Sequence, residues 1–284
     1  MSAAFAGTPA KDALDSAVIA IAAAGCETPR LDAELLLANA LGVRREQLIT
    51  DRELTVQGPA VRAFQDAVRR RAVLREPVAY ILGRRHFRRL ELAVDARALM
   101  PRPETELLVE VALTLPQGAR VLDLGTGSGA VALALKDERP DLCVSASDIS
   151  AQALELARVN GQTLGLEVDW LYADLLAGIP DEFDAVLSNP PYVADGEIRA
   201  LAPEIVRHEP HGALFAGADG LDVVRELLAQ LAQRKGVQWV ALEIGQGQAG
   251  ETIELARAAG FASVRAERDL AGIERVVVGE RVPA

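Results

Sequence analysis

Apolar positions recur at helical spacing through the first quarter of the chain, then give way to alternating strand-like and helix-like stretches. From about Asp12 to Leu74 only the helical period is visible. Leu31, Ala33, Leu35, Leu36 and Leu37 fall on one side of Asp32, Glu34 and Asn39. Val61, Phe64, Val68 and Val73 are spaced for a further amphipathic helix, with Arg69, Arg70 and Arg71 on its exposed end. That arginine triplet reads either as a solvated helix end or as a contact for an RNA-like or acidic partner. Thr28-Pro29 and Gly58-Pro59 punctuate the segment as turns. Residues 1–76 are therefore expected to form a small helical bundle.

The texture changes between Pro77 and Arg102. Ala79-Tyr80-Ile81-Leu82-Gly83 and His86-Phe87-Arg88-Arg89-Leu90-Glu91-Leu92 predict short strands around Gly83, a β-hairpin linker over residues 77–102. Beyond Pro103, strands are predicted at Arg120–Leu124, Leu142–Ser147, Val168–Tyr172, Ala185–Ser188, Trp239–Ile244, Ser263–Ala266 and Arg275–Val278. Helices are predicted between most of them, at Val131–Lys136, Ala151–Asn160, Val223–Gln233 and Ala249–Ala259. Such alternation over residues 103–284 predicts an α/β domain whose seven-stranded, mostly parallel sheet is covered on both faces.

Composition narrows the function. Lys and Arg number 30 against 41 Asp and Glu, a formal net charge of −11, which argues against stable, non-specific binding of long nucleic acid. Only Cys26 and Cys143 are present, without CxxC spacing, which excludes a disulfide scaffold and a Cys-rich zinc site. No apolar run approaches the roughly 18 residues that span a bilayer. Ala17 to Gly25, followed by Cys26, has the outline of a short signal segment, but Lys11 is offset by Asp12 and Asp15. The stretch reads instead as an Ala-rich helix, and the expected location is the cytoplasm, with no membrane association.

Candidate chemistry begins at Val121-Leu122-Asp123-Leu124-Gly125-Thr126-Gly127-Ser128-Gly129, an apolar strand running into a glycine-rich turn and then a helix. Glycines there admit positive φ and let a ligand approach the backbone. The next strand ends at Asp148, which either binds the two hydroxyls of a ribose or caps the following helix. The loop reads GxGxG rather than the dinucleotide GxGxxG, with Asp123 two residues ahead. That departure points from nicotinamide toward S-adenosylmethionine, whose ammonium Asp123 can meet while glycine amides approach the carboxylate. Asp123 has a second reading as a turn-stabilising residue. Asp174 and Leu175 close the third strand, either beside the adenine or as a simple cap.

The fourth strand runs into Asn189-Pro190-Pro191-Tyr192. Two prolines stiffen the turn and leave carbonyls as acceptors. Asn189 adds a side-chain oxygen and Tyr192 an aromatic wall. This rigid acceptor set suits a planar amino or amide nitrogen, whose two N–H groups it would bind while the lone pair faces an electrophile. His208-Glu209-Pro210-His211 lacks HExxH spacing, and no catalytic metal is expected.

At these residues the chain resembles a class I, Rossmann-like methyltransferase acting on a planar nitrogen. Tyr80-Ile81-Leu82-Gly83, Pro101-Arg102-Pro103-Glu104-Thr105-Glu106, Glu209-Pro210, Leu214 and Asp219-Gly220-Leu221 are similar to the HemK/PrmC family. The resemblance covers nearly the whole chain. It implies methylation of the glutamine side-chain amide in the Gly-Gly-Gln tripeptide of peptide chain release factors, with the helical bundle holding that protein substrate. It also implies cofactor contacts from Asp123, Gly125, Thr126, Gly127, Ser128, Gly129, Asp148, Asp174, Leu175 and Asn189. Asn189, Pro190, Pro191 and Tyr192 would bind the substrate amide, with Asn189, Pro190 and Tyr192 catalytic. Many members carry Trp where this chain has Leu175, a difference expected to move affinity. Four other readings compete: a glutamine methyltransferase of a ribosomal protein, an adenine N6-methyltransferase, a non-catalytic adenosine-binding module, and a nicotinamide oxidoreductase, which the loop pattern disfavours. The intact tetrapeptide argues against the binding module, and the acidic balance against an adenine target.

Overall fold

The computed structural model describes residues 7–281, so the outermost ends of the expected first and last domains lie outside the described residues. Two compact units divide the chain. One gathers the chain up to Gly83 together with Ala202–His208; the other takes Arg84–Leu201 and the chain from Glu209 onward.

The first unit begins with β1 (Thr8–Pro9), α1 (Ala10–Ala23), α2 (Pro29–Leu41) and α3 (Gln47–Thr50). It continues through β2 (Thr55–Val56), α4 (Pro59–Ala72) and α5 (Val78–Leu82). Pro29 and Pro59 each open a helix, the position where a missing N–H costs nothing, so the two turn signals are helix starts. Leu14, Ile21, Leu36, Leu37 and Phe64 close the core of this unit. Leu31 is exposed, while Asp32 is buried among the apolar positions it was expected to oppose.

Its burial follows from Arg71, whose Nε donates to Asp32 Oδ2 at 2.6 Å. Arg71 also reaches Glu204 Oε1 through Nη1 at 2.7 Å, and Arg75 donates to the same carboxylate. The expected exposed arginine triplet is therefore corrected at Arg71, while Arg69 is exposed as expected and Arg70 is half-buried. Arg71 is only 7% exposed, Arg70 pairs with Glu76, and Arg69 pairs with Asp66. All three pair with acids of this unit, and for Arg71 the pairing is obligatory, because a buried cation is tolerable only beside a partner.

The linker expectation also changes. Ala79 to Leu82 lie in α5, not in a strand, and Gly83 ends that helix in the left-handed conformation at φ 70°. The hairpin lies one step later, as β3 (Arg84–Phe87) and β4 (Leu90–Ala93), with Phe87 opposite Leu90. Its two-residue turn needs a positive φ, which Arg88 supplies at 51°. Bonds from Arg88 Nε and Nη2 to Glu138, both at 2.6 Å, and from its N–H to Glu106 at 3.0 Å, hold that conformation without glycine.

The second unit continues with α6 (Glu106–Ala112), β5 (Arg120–Leu124), α7 (Ala130–Glu138) and β6 (Cys143–Asp148). Next come α8 (Ala151–Leu164), β7 (Asp169–Tyr172) and β8 (Ala185–Ser188). The chain then supplies α9 (Pro203–His208) to the first unit and returns for α10 (Asp222–Gln233) and β9 (Trp239–Glu243). It closes with α11 (Ala249–Ala258), β10 (Ser263–Arg268) and β11 (Glu274–Glu280). The seven strands run β10-β11-β9-β8-β5-β6-β7. β5 to β9 pair in parallel, and β11 is antiparallel to both neighbours, so the expected seven-stranded, mostly parallel sheet is present. Every residue of β8 and β9 is buried, as cover on both faces requires. Leu122, Val186 and Leu242 pack with Val224, Leu227 and Leu231 of α10.

Candidate active site

Strand order reverses between β5 and β8, and a crevice opens where the loops after their carboxyl ends part. The glycine loop leaves β5, Asp148 ends β6, Asp174 follows β7, and Asn189 follows β8. Parallel register, with Leu124 opposite both Ser147 and Ser188, brings these loops to one rim.

Gly125, Gly127 and Gly129 have φ of 73°, 57° and 85°. Gly129 is required for a second reason. A Cβ there would stand 3.0 Å from Leu133 Cδ1 and 3.1 Å from Trp170 Cη2, so it meets the core behind the loop and does not line the cavity. Trp170 thus packs under the loop rather than beside an adenine.

Asp123 is 2% exposed, and its Oδ2 accepts from the Thr126 hydroxyl at 2.6 Å and the Ala132 N–H at 3.1 Å. Those bonds stitch the loop to α7, the turn-stabilising role. Burial pushes its carboxyl up to about 6 against them. Asp148 Oδ2 accepts from Gly127 N–H at 2.9 Å, and Oδ1 accepts from Ser150 N–H at 2.8 Å. Helix α8 is capped instead by the Ser150 hydroxyl, so Asp148 is not the capping side chain. Leu175 holds φ 48° without being glycine, and such local strain concentrates at binding sites.

Around the tetrapeptide, the second unit brings together its own segments of the family resemblance, Pro101–Glu106, Glu209-Pro210 and Asp219–Leu221. Asn189 Nδ2 donates to Thr105 Oγ1 at 3.1 Å, and Asn189 Oδ1 is buried with no protein donor. Arg102 donates to the buried Glu209 at 2.6 Å. Gln248 Nε2 donates to the Tyr192 carbonyl at 3.0 Å and the Asp219 carbonyl at 3.2 Å. Gly220, at φ 77°, leaves room that a Cβ would fill 2.2 Å from the Tyr192 oxygen. Tyr192 itself turns away from the cavity, toward Glu243 and Gly245. Its hydroxyl is pushed up to about 12 by burial and by the Glu243 charge.

A cavity of about 530 Å³ collects the other expected residues, within the usual size range of small-ligand sites. Asp123, Gly125, Thr126, Gly127, Ser128, Asp148, Asp174, Leu175, Asn189, Pro190 and Pro191 line it; Gly129 and Tyr192 do not. The lining is mostly apolar, and none of the described lining residues is aromatic. Sequence reasoning missed the stretch from Arg97 to Met100 and also Ser147, Ile149 and Val223. Arg97 to Met100 belong to no periodic element and gave no signal. Among the described residues no group of three acidic, His or Cys side chains could hold a metal ion.

The cavity fits the ligand inferred from the loop. Asn189 Oδ1 and the hydroxyls of Ser128 and Ser147 are buried on lining residues without protein partners. Such orphans call for a polar ligand group. Beside them, the Asp148 carboxylate and the apolar walls suit a ribose and its base.

A sheet of this order, with a glycine loop and an Asn-Pro-Pro-Tyr turn flanking its reversal, defines a class I methyltransferase, an enzyme that uses S-adenosylmethionine. The chain matches the methyltransferase small domain over residues 103–248 and the PrmC N-terminal domain over residues 12–83. It is 41% identical to the release factor glutamine methyltransferase of Rhodospirillum rubrum, over 94% of this chain and 84% of that protein. With the Koribacter versatilis protein of the same name it shares 39% identity, over 95% and 98%. The T. thermophilus 16S rRNA N2 G1207 methyltransferase, solved with AdoMet and guanosine, shares the fold at TM-score 0.51 and 19% identity, over 70% of this chain and 50% of that one. This chain belongs to the release factor glutamine methyltransferase family.

Proposed function

We propose that this chain methylates the N5 amide nitrogen of the glutamine in the Gly-Gly-Gln motif of peptide chain release factors, in the cytoplasm. The observation that carries this reading is Asn189 Oδ1, a buried acceptor without a donor, on a rigid turn beside the cavity. The cofactor supplies a methyl group on a sulfonium centre, already a strong electrophile. The protein therefore has mainly to align a poor nucleophile. Asn189 Oδ1 accepts one amide N–H and the Pro190 carbonyl the other, so the nitrogen lone pair is turned toward the methyl. These bonds strengthen as positive charge grows on nitrogen, which is where they lower the barrier. The apolar walls exclude water, and the surplus proton leaves after transfer.

A nucleobase target is usually held against an aromatic face. The described lining residues of the cavity offer none, and the Tyr192 ring is directed elsewhere, which favours an aliphatic amide. The helical unit is read as the part that holds the release factor. No described helix is long and apolar enough to cross a membrane. The test uses labelled S-adenosylmethionine with release factor carrying Gln, Glu or Asn at the motif, followed by peptide mass mapping. Label is expected on the Gln form alone; equal incorporation into the Glu form would exclude the glutamine amide as acceptor.

A further inference from the structure

Asn189 can act as an acceptor only if its amide is the right way round. Its two ends are nearly the same size, and a flip would present Nδ2, a donor, to another donor. Something must therefore choose. The turn itself does not, because Pro190 and Pro191 contribute no N–H to hold Oδ1 in place.

The choice is made on the far side of the residue. Thr105, in the short helical turn Pro103–Thr105, is buried, and its Oγ1 accepts from Asn189 Nδ2 at 3.1 Å. The Glu243 carboxylate at the end of β9 is the acid that faces the Thr105 hydroxyl. An ionised carboxylate only accepts, so it draws the single hydroxyl hydrogen toward itself. Thr105 Oγ1 is then left with lone pairs alone toward Asn189 and selects the NH2 end. We propose that Thr105 and Glu243 are positioning residues for Asn189, fixing its amide so that Oδ1 faces the substrate nitrogen. The inference rests on the amide-methylating reading above.

Glu243 is 1% exposed and its Oε2 has no protein donor, so this is a buried carboxylate that no salt bridge explains. The groups facing it are Thr105, Tyr192 from the tetrapeptide, Glu104 beside Thr105, and Arg275 on β11. Tyr192 lies 3.5 Å away through its hydroxyl, and Arg275 is already bonded to Asp269. Burial pushes Glu243 up to about 7, with Glu104 adding to the rise and Arg275 opposing it. Once protonated, Glu243 can itself donate to Thr105 and release the hydroxyl hydrogen toward Asn189, which favours the flipped amide. Methyl transfer is therefore expected to fall as pH drops below about 7.

Three variants of the full chain test this beside wild type and Asn189→Ala. Thr105→Val is expected to lower kcat about tenfold or more while the cofactor Kd stays within about twofold. Thr105→Ser, which restores the hydroxyl, should keep the rate within about threefold of wild type. Glu243→Gln, which can donate as well as accept, should lower kcat at pH 8 and flatten the acidic limb of the rate profile. A substrate-independent readout comes from 15N-labelled asparagine, since the chain has only Asn39, Asn160 and Asn189. The Asn189 side-chain hydrogens should exchange slowly with solvent in wild type and several times faster in Thr105→Val and Glu243→Gln. Wild-type kcat and wild-type exchange in Thr105→Val or in Glu243→Gln would overturn the positioning role, even with Asn189→Ala inactive. Wild type that leaves the release factor unmethylated would sink the functional reading instead, and the exchange measurement would still decide the amide orientation.

Discussion

Replacing Asp148 by Ala is the sharpest test of the cofactor site, because the side chain has two separable jobs. Its oxygens accept from Gly127 N–H at 2.9 Å and Ser150 N–H at 2.8 Å, and the carboxylate, with acceptor capacity left over, lines the cavity. A hydrogen bond to a charged group contributes about 1.5–3 kcal/mol. Losing the ribose contacts should therefore cost about 2–3 kcal/mol of binding, or roughly 30- to 150-fold in Kd. The protein itself should lose less, about 1–2 kcal/mol, because Asp148 is only half-buried and water from the cavity can reach the two N–H groups. Asp148→Asn separates charge from shape. Its one carbonyl oxygen cannot serve N–H groups that bond different oxygens, so its NH2 must face Gly127 or Ser150. The Asn variant should thus bind nearly as weakly as Ala.

Isothermal titration with S-adenosylmethionine, alongside thermal melts, reads both quantities. A folded Asp148→Ala protein with an unchanged Kd would remove this residue from the cofactor site. An Asn variant that binds like wild type would show that the charge contributes nothing. Burial raises the Asp148 carboxyl above its ordinary value, so the wild-type Kd should also rise as pH falls into the acid range.

Arg71→Met leaves Asp32 and Glu204 facing each other without their shared cation, and should destabilise the helical unit by about 3–5 kcal/mol; a loss below 1 kcal/mol by denaturant titration would refute that account. Asp123 at about 6 and Glu243 at about 7 both sit above their ordinary values, so the folded state binds more protons than the unfolded chain between roughly pH 4 and 7. Stability of the cofactor-free protein is thus expected to fall as pH rises through that window, by up to about 3 kcal/mol per group. Glu243→Gln should remove part of that slope, and a flat melting profile would contradict the sign. Deleting residues 1–83 takes Arg71 and Arg75 from Glu204 on α9, which groups with the helical unit. The remainder should still bind cofactor but methylate whole release factor poorly, and full-rate methylation would exclude the docking role.

How far the chain could be read from its residues depended on where each signal's physics is local. The central strands of the sheet were legible because burial on both faces leaves apolar runs, as in Ala185–Ser188 and Trp239–Glu243, and the half-exposed edge strands followed from the alternation of strands and helices. The glycine loop and tetrapeptide were legible for the same reason, since backbone conformation and proline stiffness are properties of the segment itself. Tyr80 to Gly83 misled because a five-residue helix has too few turns for its period to be told from a strand's. Arg71 misled because its charge is answered by Asp32, 39 positions away, and by Glu204, 133 positions away. Glu243 was the hardest case and the most informative. A lone acid at the end of an apolar strand, Trp239–Glu243, breaks its own pattern. Such a residue is costly to bury, and only the folded chain supplies a reason for keeping it there, in Thr105 and through it Asn189. The residues proposed for the chemistry, and Thr105 beside them, therefore sit on segments with a local signature, whereas Glu243 acquires its proposed part only where β9 meets a turn from a distant part of the chain.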